Sequence, residues 1–162
     1  MKFLLGLVLL CASVAAHADA LHGVVIVVID GDTVLFKPDH YSAASRVFLK
    51  VRLAGIDAPE KDQPHGEAAT RALKDMALKR RATLDIVATD AYGRKLGMLT
   101  VGTVPVNAEL VRRGNAWASS RDADDAARLL QREARRARIG LWREPDPMPP
   151  WLWRRMQRTA AY

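Results

Sequence analysis

Five short apolar segments, interrupted by one helical stretch and followed by two more, predict an α+β, mainly β, domain. The expected architecture is a small closed five-stranded β-barrel with three packed helices. Three features carry this reading: strand-length runs rich in β-branched residues, a hairpin signature between two of them, and helical periodicities that end at glycines.

Residues 23–29 form a β-branched run, Gly-Val-Val-Ile-Val-Val-Ile, which reads as a buried strand. Asp30-Gly31-Asp32 is a turn, and residues 33–37 resume as a second strand. Residues 38–46 are a polar connection. In residues 47–54, Val47, Leu49, Val51 and Leu53 share one face, while Lys50 and Arg52 share the other. Arg52 is therefore expected away from the apolar side. Residues 55–66, with Pro59 and Pro64, read as loop. Residues 67–80 place Ala69, Leu73, Met76 and Ala77 at the spacing of one helical face. Residues 82–89 and 95–101 are strands around the Asp90-Ala91-Tyr92-Gly93-Arg94 turn, the hairpin signature. Residues 106–113 are a short helix stopped by Gly114. The last helix is expected over residues 122–139, with Asp122, Asp124 and Asp125 at its start and Arg135, Arg136 and Arg138 near its end. Both clusters suit the helix dipole. A barrel of this make-up best matches the OB-fold, which often serves to bind nucleic acid.

Residues 1–20 stand apart. Lys2 supplies a positive start, residues 3–14 are almost unbroken in apolar character, and Ala16-His17-Ala18 and Ala18-Asp19-Ala20 both fit a signal-peptidase site. The run is too short to span a bilayer, and no second one follows. The expected organisation is a cleaved signal peptide (1–20), a folded domain (21–143) and a Pro/Trp/Arg-rich tail (144–162), exported to a periplasm or secreted. Cys11, the single cysteine, falls in the signal, so the mature chain has neither a disulfide nor a thiolate zinc site. Losing Lys2 and Asp19 leaves the net charge of +7 unchanged. With a pI near 10.0, the charge suits a polyanionic partner: nucleic acid, lipopolysaccharide or an anionic membrane surface.

Three polar clusters sit at turns or strand ends. Asp30-Gly31-Asp32-Thr33 pins two carboxylates at a glycine turn. The segment from Arg52 to Glu60 delivers a cation from a strand, then Asp57 and Glu60 on the following loop. Tyr92-Gly93-Arg94 sets a second cation at a hairpin tip. Together they provide oxygen donors for a hard cation, two guanidinium forks that match phosphate, and a carboxylate to orient or deprotonate water. That is the equipment of metal-assisted phosphodiester hydrolysis. Each cluster alone is also an ordinary turn, surface strand residue or hairpin tip; the combination in this order carries the argument.

Asp-Gly-Asp-Thr after an apolar strand, Arg-x4-Asp-x-Pro-Glu and Asp-x-Tyr-Gly-Arg, in this order, resemble the staphylococcal nuclease family. The Val106-Asn107 helix start and Gly140-Leu141-Trp142 are also similar to that family, so the resemblance covers residues 23–142. It implies that Asp32 and Asp57 bind Ca2+ through their carboxylates and Ala58 through its main-chain carbonyl, with Asp30 close by. It further implies that Glu60 orients or deprotonates the attacking water, that Arg52 and Arg94 bind the phosphate, and that Tyr92 lies beside the nucleotide. The implied reaction cleaves the bond between phosphorus and the 5′ oxygen, leaving 3′-phosphate ends. Few protein ligands and several waters predict weak calcium binding, on the order of 10⁻⁴ to 10⁻³ M.

The chain departs from the family at two places. Ala91 stands where a lysine is usual, and Ala118-Ser119-Ser120-Arg121 stands where base-packing tyrosines are expected. Trp117 nearby reads as core. His22, His40 and His65 have no zinc-binding spacing. The tail, with Trp151, Trp153, Arg154 and Arg155, either grips nucleic acid or packs back on the barrel as a latch, and the latch is the favoured reading. A calcium-dependent nuclease of DNA or RNA is the leading functional reading, with nucleic acid as substrate, no stable membrane insertion and a monomeric chain. The alternatives are a non-catalytic OB-type nucleic-acid binder and a basic envelope protein bound to anionic lipid.

Overall fold

β-branched and alternating segments pair in a computed structural model that describes residues 20–42 and 44–160. All but the last residue of the expected signal peptide lies outside the described residues. Strand β1 (Leu21–Val28) turns back into β2 (Thr33–Pro38) as an antiparallel pair. Gly31 sits at that turn, where an added Cβ would come 2.7 Å from the Cβ of Ala58 and 2.8 Å from that of Ala69. The turn is pressed against a later loop and the first helix, and a residue without a Cβ is what fits there.

Strand β3 (Leu49–Leu53) pairs antiparallel with β2, setting Arg52 opposite Thr33. A two-residue strand, β4 (Ile56–Asp57), follows. After helix α1 (Gly66–Ala77), strand β5 (Arg81–Thr89) pairs with β1, and β6 (Lys95–Val101) pairs with β5. β6 also runs parallel to β3, with Leu96 opposite Arg52, and this contact closes a barrel in the order β3-β2-β1-β5-β6. Strand β7 (Val104–Pro105) turns back to pair antiparallel with the end of β6, and β8 (Trp117–Ala118) pairs with β4. The expected OB-type barrel is therefore present.

Val25, Phe36, Val51, Leu53, Leu84 and Leu99 fill the core with Ala69, Leu73 and Ala77 of α1 and Val106, Leu110 and Val111 of helix α2 (Val106–Arg112). Val47 does not join its expected face; it precedes β3 and is exposed. Asn107 is buried at the seam: its Oδ1 accepts from Leu99 N at 3.0 Å, and its Nδ2 donates to Ala54 O at 2.9 Å and Gly97 O at 3.1 Å.

Two expectations about the helices are corrected. Helix α3 (Asp125–Arg136) begins later than residue 122, because Asp124 is its cap, accepting from Ala127 N at 2.7 Å. Asp122 instead accepts from Gly55 N at 3.0 Å and so ties the loop after β3. Beyond α3 a short 3₁₀ turn, Gly140–Arg143, packs Leu141 and Trp142 with Trp117 in a second cluster. The tail then forms a fourth helix, α4 (Pro150–Ala160), where three helices were expected in all. Proline at its first position costs nothing, since that N–H would have no intrahelical acceptor.

Asn107→Ala leaves Leu99 N and Ala54 O without this buried partner. It is expected to lower unfolding free energy by about 2–4 kcal/mol, measured as a lower urea midpoint at unchanged m-value.

Candidate active site

Arg52 leaves the barrel wall on β3, away from the apolar interior as its alternation requires. Its Nη1 donates to Asp32 Oδ1 at 3.2 Å, and its Nη2 donates to Asp57 Oδ1 at 2.8 Å. Asp32 is buried at the end of the β1–β2 turn. Its Oδ2 accepts from Ala58 N at 2.9 Å, and its Oδ1 also accepts from Thr33 Oγ1 at 3.0 Å. Asp30 holds the turn by accepting from Asp32 N at 3.0 Å. Two strands and a loop thus converge on one set of charges.

Glu60 follows on the loop to α1. Its backbone N donates to Gln63 Oε1 at 3.1 Å, and Gln63 is itself buried. From the other side comes the β5–β6 hairpin, where Asp90 accepts from Tyr92 N, Arg94 N and, at 2.7 Å, Arg94 Nε. Nε is the only side-chain atom of Arg94 hydrogen-bonded among the described residues, so its terminal nitrogens remain available to the cleft that it lines. Tyr92 stands 87% exposed beside Arg94, whose guanidinium carbon lies 5.7 Å from the ring centroid.

These groups share a cleft of about 480 Å³ lined by Asp30, Asp32, Arg52, Ala58, Glu60, Tyr92 and Arg94. Asp57 lines the adjoining cleft with Arg52, Tyr92 and Arg94. Every residue expected to bind the metal, the phosphate or the nucleotide is therefore gathered at one place. The structure adds residues that sequence reasoning had not placed there: Arg121, Trp151, Arg154 and Arg158 line the same cleft. Arg154 goes furthest. Its Nη1 donates to Asp57 Oδ1 at 3.0 Å and Glu60 Oε1 at 2.7 Å, and its Nη2 donates to Asp57 Oδ2 at 2.8 Å. A signal for α4 was present in Pro149-Pro150, a helix start, and in the spacing of Trp151, Arg154 and Arg158, which puts all three on one helical face.

Burial pushes the Asp32 carboxyl up to about 7; Arg52 opposes this, and Asp30 and Asp57 add to it. Burial also works against the charge on Arg52, yet Asp32 and Asp57 outweigh it and raise that pKa. Asp57, then Glu60, hold Arg154 firmly protonated. Burial is the main cause of the shift and the nearby carboxylates add to it, so added positive charge would favour the ionised form. Oxygen donors of this kind suit a hard divalent cation. Among the described residues no three Asp, Glu, His or Cys side chains converge as a cage, so a fitting ion would take few protein ligands and keep waters. Both oxygens of Asp57 are engaged by arginines, and a cation bound there would displace Arg154.

A family model described as staphylococcal nuclease homologue matches residues 50–144. The chain is 38% identical over 136 residues to an "Uncharacterized endonuclease" of Escherichia coli O157:H7, covering 83% of this chain and 85% of that one. It is 34% identical over 166 residues to a "Micrococcal nuclease" of Shigella flexneri, covering 95% and 91%. It is 41% identical over 147 residues to "Protein ParB" of Escherichia coli, covering 83% and 80%.

Because the folded-state pKa of Asp32 lies above its unfolded value, the native chain binds the extra proton between about pH 4 and 7. Stability in chelator is therefore expected to fall as pH rises through that window, by on the order of 4 kcal/mol. Asp32→Asn should flatten that slope, read from urea midpoints at successive pH values; an unchanged slope assigns the proton elsewhere.

Proposed function

Because the chain belongs to the staphylococcal nuclease family and is a nuclease acting on nucleic acid, we propose that it is a calcium-dependent phosphodiesterase of DNA or RNA that leaves 3′-phosphate ends. The observation that carries this reading is the convergence of Arg52 and Arg94 with Asp32, Asp57 and Glu60 around one cleft. A protein that only binds nucleic acid has no need to set carboxylates among its phosphate-binding arginines.

Asp32, Asp57 and the Ala58 carbonyl would hold the calcium, which supplies positive charge against the charge that develops on the phosphate. Glu60 orients a water and takes its proton as the water oxygen attacks phosphorus. The bond from phosphorus to the 5′ oxygen breaks, the phosphate stays on the 3′ side, and the leaving oxygen gains a proton from solvent. Arg52, held from two sides by Asp32 and Asp57, and Arg94, fixed through Nε by Asp90, stabilise the growing negative charge without reorganising. A guanidinium does not give up its proton in proteins, so the part of an arginine here is electrostatic and not proton donation. Tyr92 borders the nucleotide. Phosphate contacts carry no base information, so sequence preference is slight. A weak site of this kind fills in calcium-rich surroundings, which agrees with export through the N-terminal signal and a periplasmic or secreted location.

Plasmid nicking by the mature protein tests the reading. Activity should require calcium, vanish with chelator, and fall at least about 100-fold in Glu60→Ala. Nicking indifferent to both treatments would sink it. A 5′-labelled fragment should change mobility on phosphatase treatment, as a 3′-phosphate end requires. Arg154→Ala frees Asp57 Oδ2 and is expected to tighten calcium binding several-fold in calorimetric titration without nucleic acid; unchanged affinity would show that Arg154 does not compete with the ion.

A further inference from the structure

We propose that α4 is the nucleotide-binding wall of this cleft, with Trp151 stacking on a base and Arg158 binding a phosphate next to the scissile one. The inference rests on the nuclease reading above and names the residues that grip the strand.

Trp151 and Arg158, seven residues apart, fall on one face of α4, and both line the cleft of Glu60 and Arg94. The face is set by contacts outside it. Gln63 Nε2 donates to Met148 O at 2.6 Å, His65 Nε2 lies 2.9 Å from Glu144 Oε1, and Pro150 is buried. A tryptophan used as a latch would be buried as Trp117 and Trp142 are, each at 5% exposure; Trp151 is 38% exposed.

The space it faces is informative. Trp151 shares a cleft of about 550 Å³ with Tyr92, Ala91, Ser119 and Ser120. Small side chains at Ala91, Ser119 and Ser120 leave room for a planar group, and Trp151 and Tyr92 supply aromatic surface for it. Stacking of this kind is tolerant of base identity. Arg158 supplies the charge. It is exposed and makes no ion pair among the described residues, whereas Arg154 is occupied by Asp57 and Glu60. A strand held by Arg52 and Arg94 at the scissile phosphate would thus find an aromatic face and a free guanidinium along α4.

The test measures binding of a fluorescein-labelled single-stranded octanucleotide in chelator, where no cleavage occurs. Trp151→Ala is expected to weaken binding at least about fivefold, with Trp151→Phe restoring most of it. Arg158→Gln should weaken binding and reduce the slope of log K against log salt by about 0.7, the share of one phosphate on a single strand. Cleavage by the same variants should show a raised KM with kcat little changed. Affinities within twofold of the parent, at the parent's salt slope, would overturn the proposal and leave α4 a latch. So would a parent that cleaves but shows no binding through α4 in this assay. If Trp151→Ala fails to fold, as judged by far-UV circular dichroism, the exposed Arg158→Gln decides alone: an unchanged salt slope overturns the proposal. A parent that binds the octanucleotide but never cleaves with calcium defeats the catalytic reading and leaves the role of α4 to be decided by the same binding data.

Discussion

Arg52 stands between two buried carboxylates, 3.2 Å from Asp32 and 2.8 Å from Asp57, and those contacts join the β1–β2 turn, β3 and β4. Removing charges from water costs several kcal/mol for each ion, and the cost is met only where geometry and hydrogen bonds are good. Here they are supplied by Ala58 N, Thr33 Oγ1 and the tight turn at Gly31. Burial still raises the Asp32 pKa, with Asp30 and Asp57 adding to it, so the ionised cluster is short of compensating positive charge. Much of the surrounding structure answers that deficit. Arg154 reaches in from α4 to Asp57 and Glu60, and the same deficit makes the place hospitable to a divalent cation.

The chemical half of the site is rigid and the gripping half is peripheral. Arg52 lies on a strand fenced by β2 and β6, so its position is fixed by backbone pairing on both sides. Arg94 is held at its hairpin by Asp90, whereas Tyr92 lies exposed at that tip and Trp151 and Arg158 lie on a helix laid over the barrel. Catalytic groups profit from being held in place, because stabilisation of a transition state is lost when they must first move. Groups that touch the rest of a strand can tolerate more freedom.

Local patterns revealed most of the barrel and the site's inner members. Alternation over Val51, Arg52 and Leu53 identified which side of β3 carries the cation, and Asp30-Gly31-Asp32 and Asp90 to Arg94 marked turns whose partners lie within a few residues. Long-range pairings were hidden. Arg154 meets Asp57 from 97 residues away, and no periodicity encodes that meeting. Asp122, Asp124 and Asp125 were equivalent as helix-start signals; what separates them is Gly55 N, a partner from another part of the chain that claims Asp122. No helix was expected in the Pro/Trp/Arg-rich tail, because its helical face is polar and aromatic instead of apolar.

The parallel contact between β3 and β6 that closes the barrel also bears on solubility. An open sheet presents unpaired N–H and C=O groups at its edges, a template on which a second chain can add a strand. Here β3 is paired on one side by β2 and on the other by β6, while β6 is covered by β5, β3 and β7. At Val51 and Arg52 the strand is therefore paired on both sides, and that stretch offers no open edge on which cross-β growth could start.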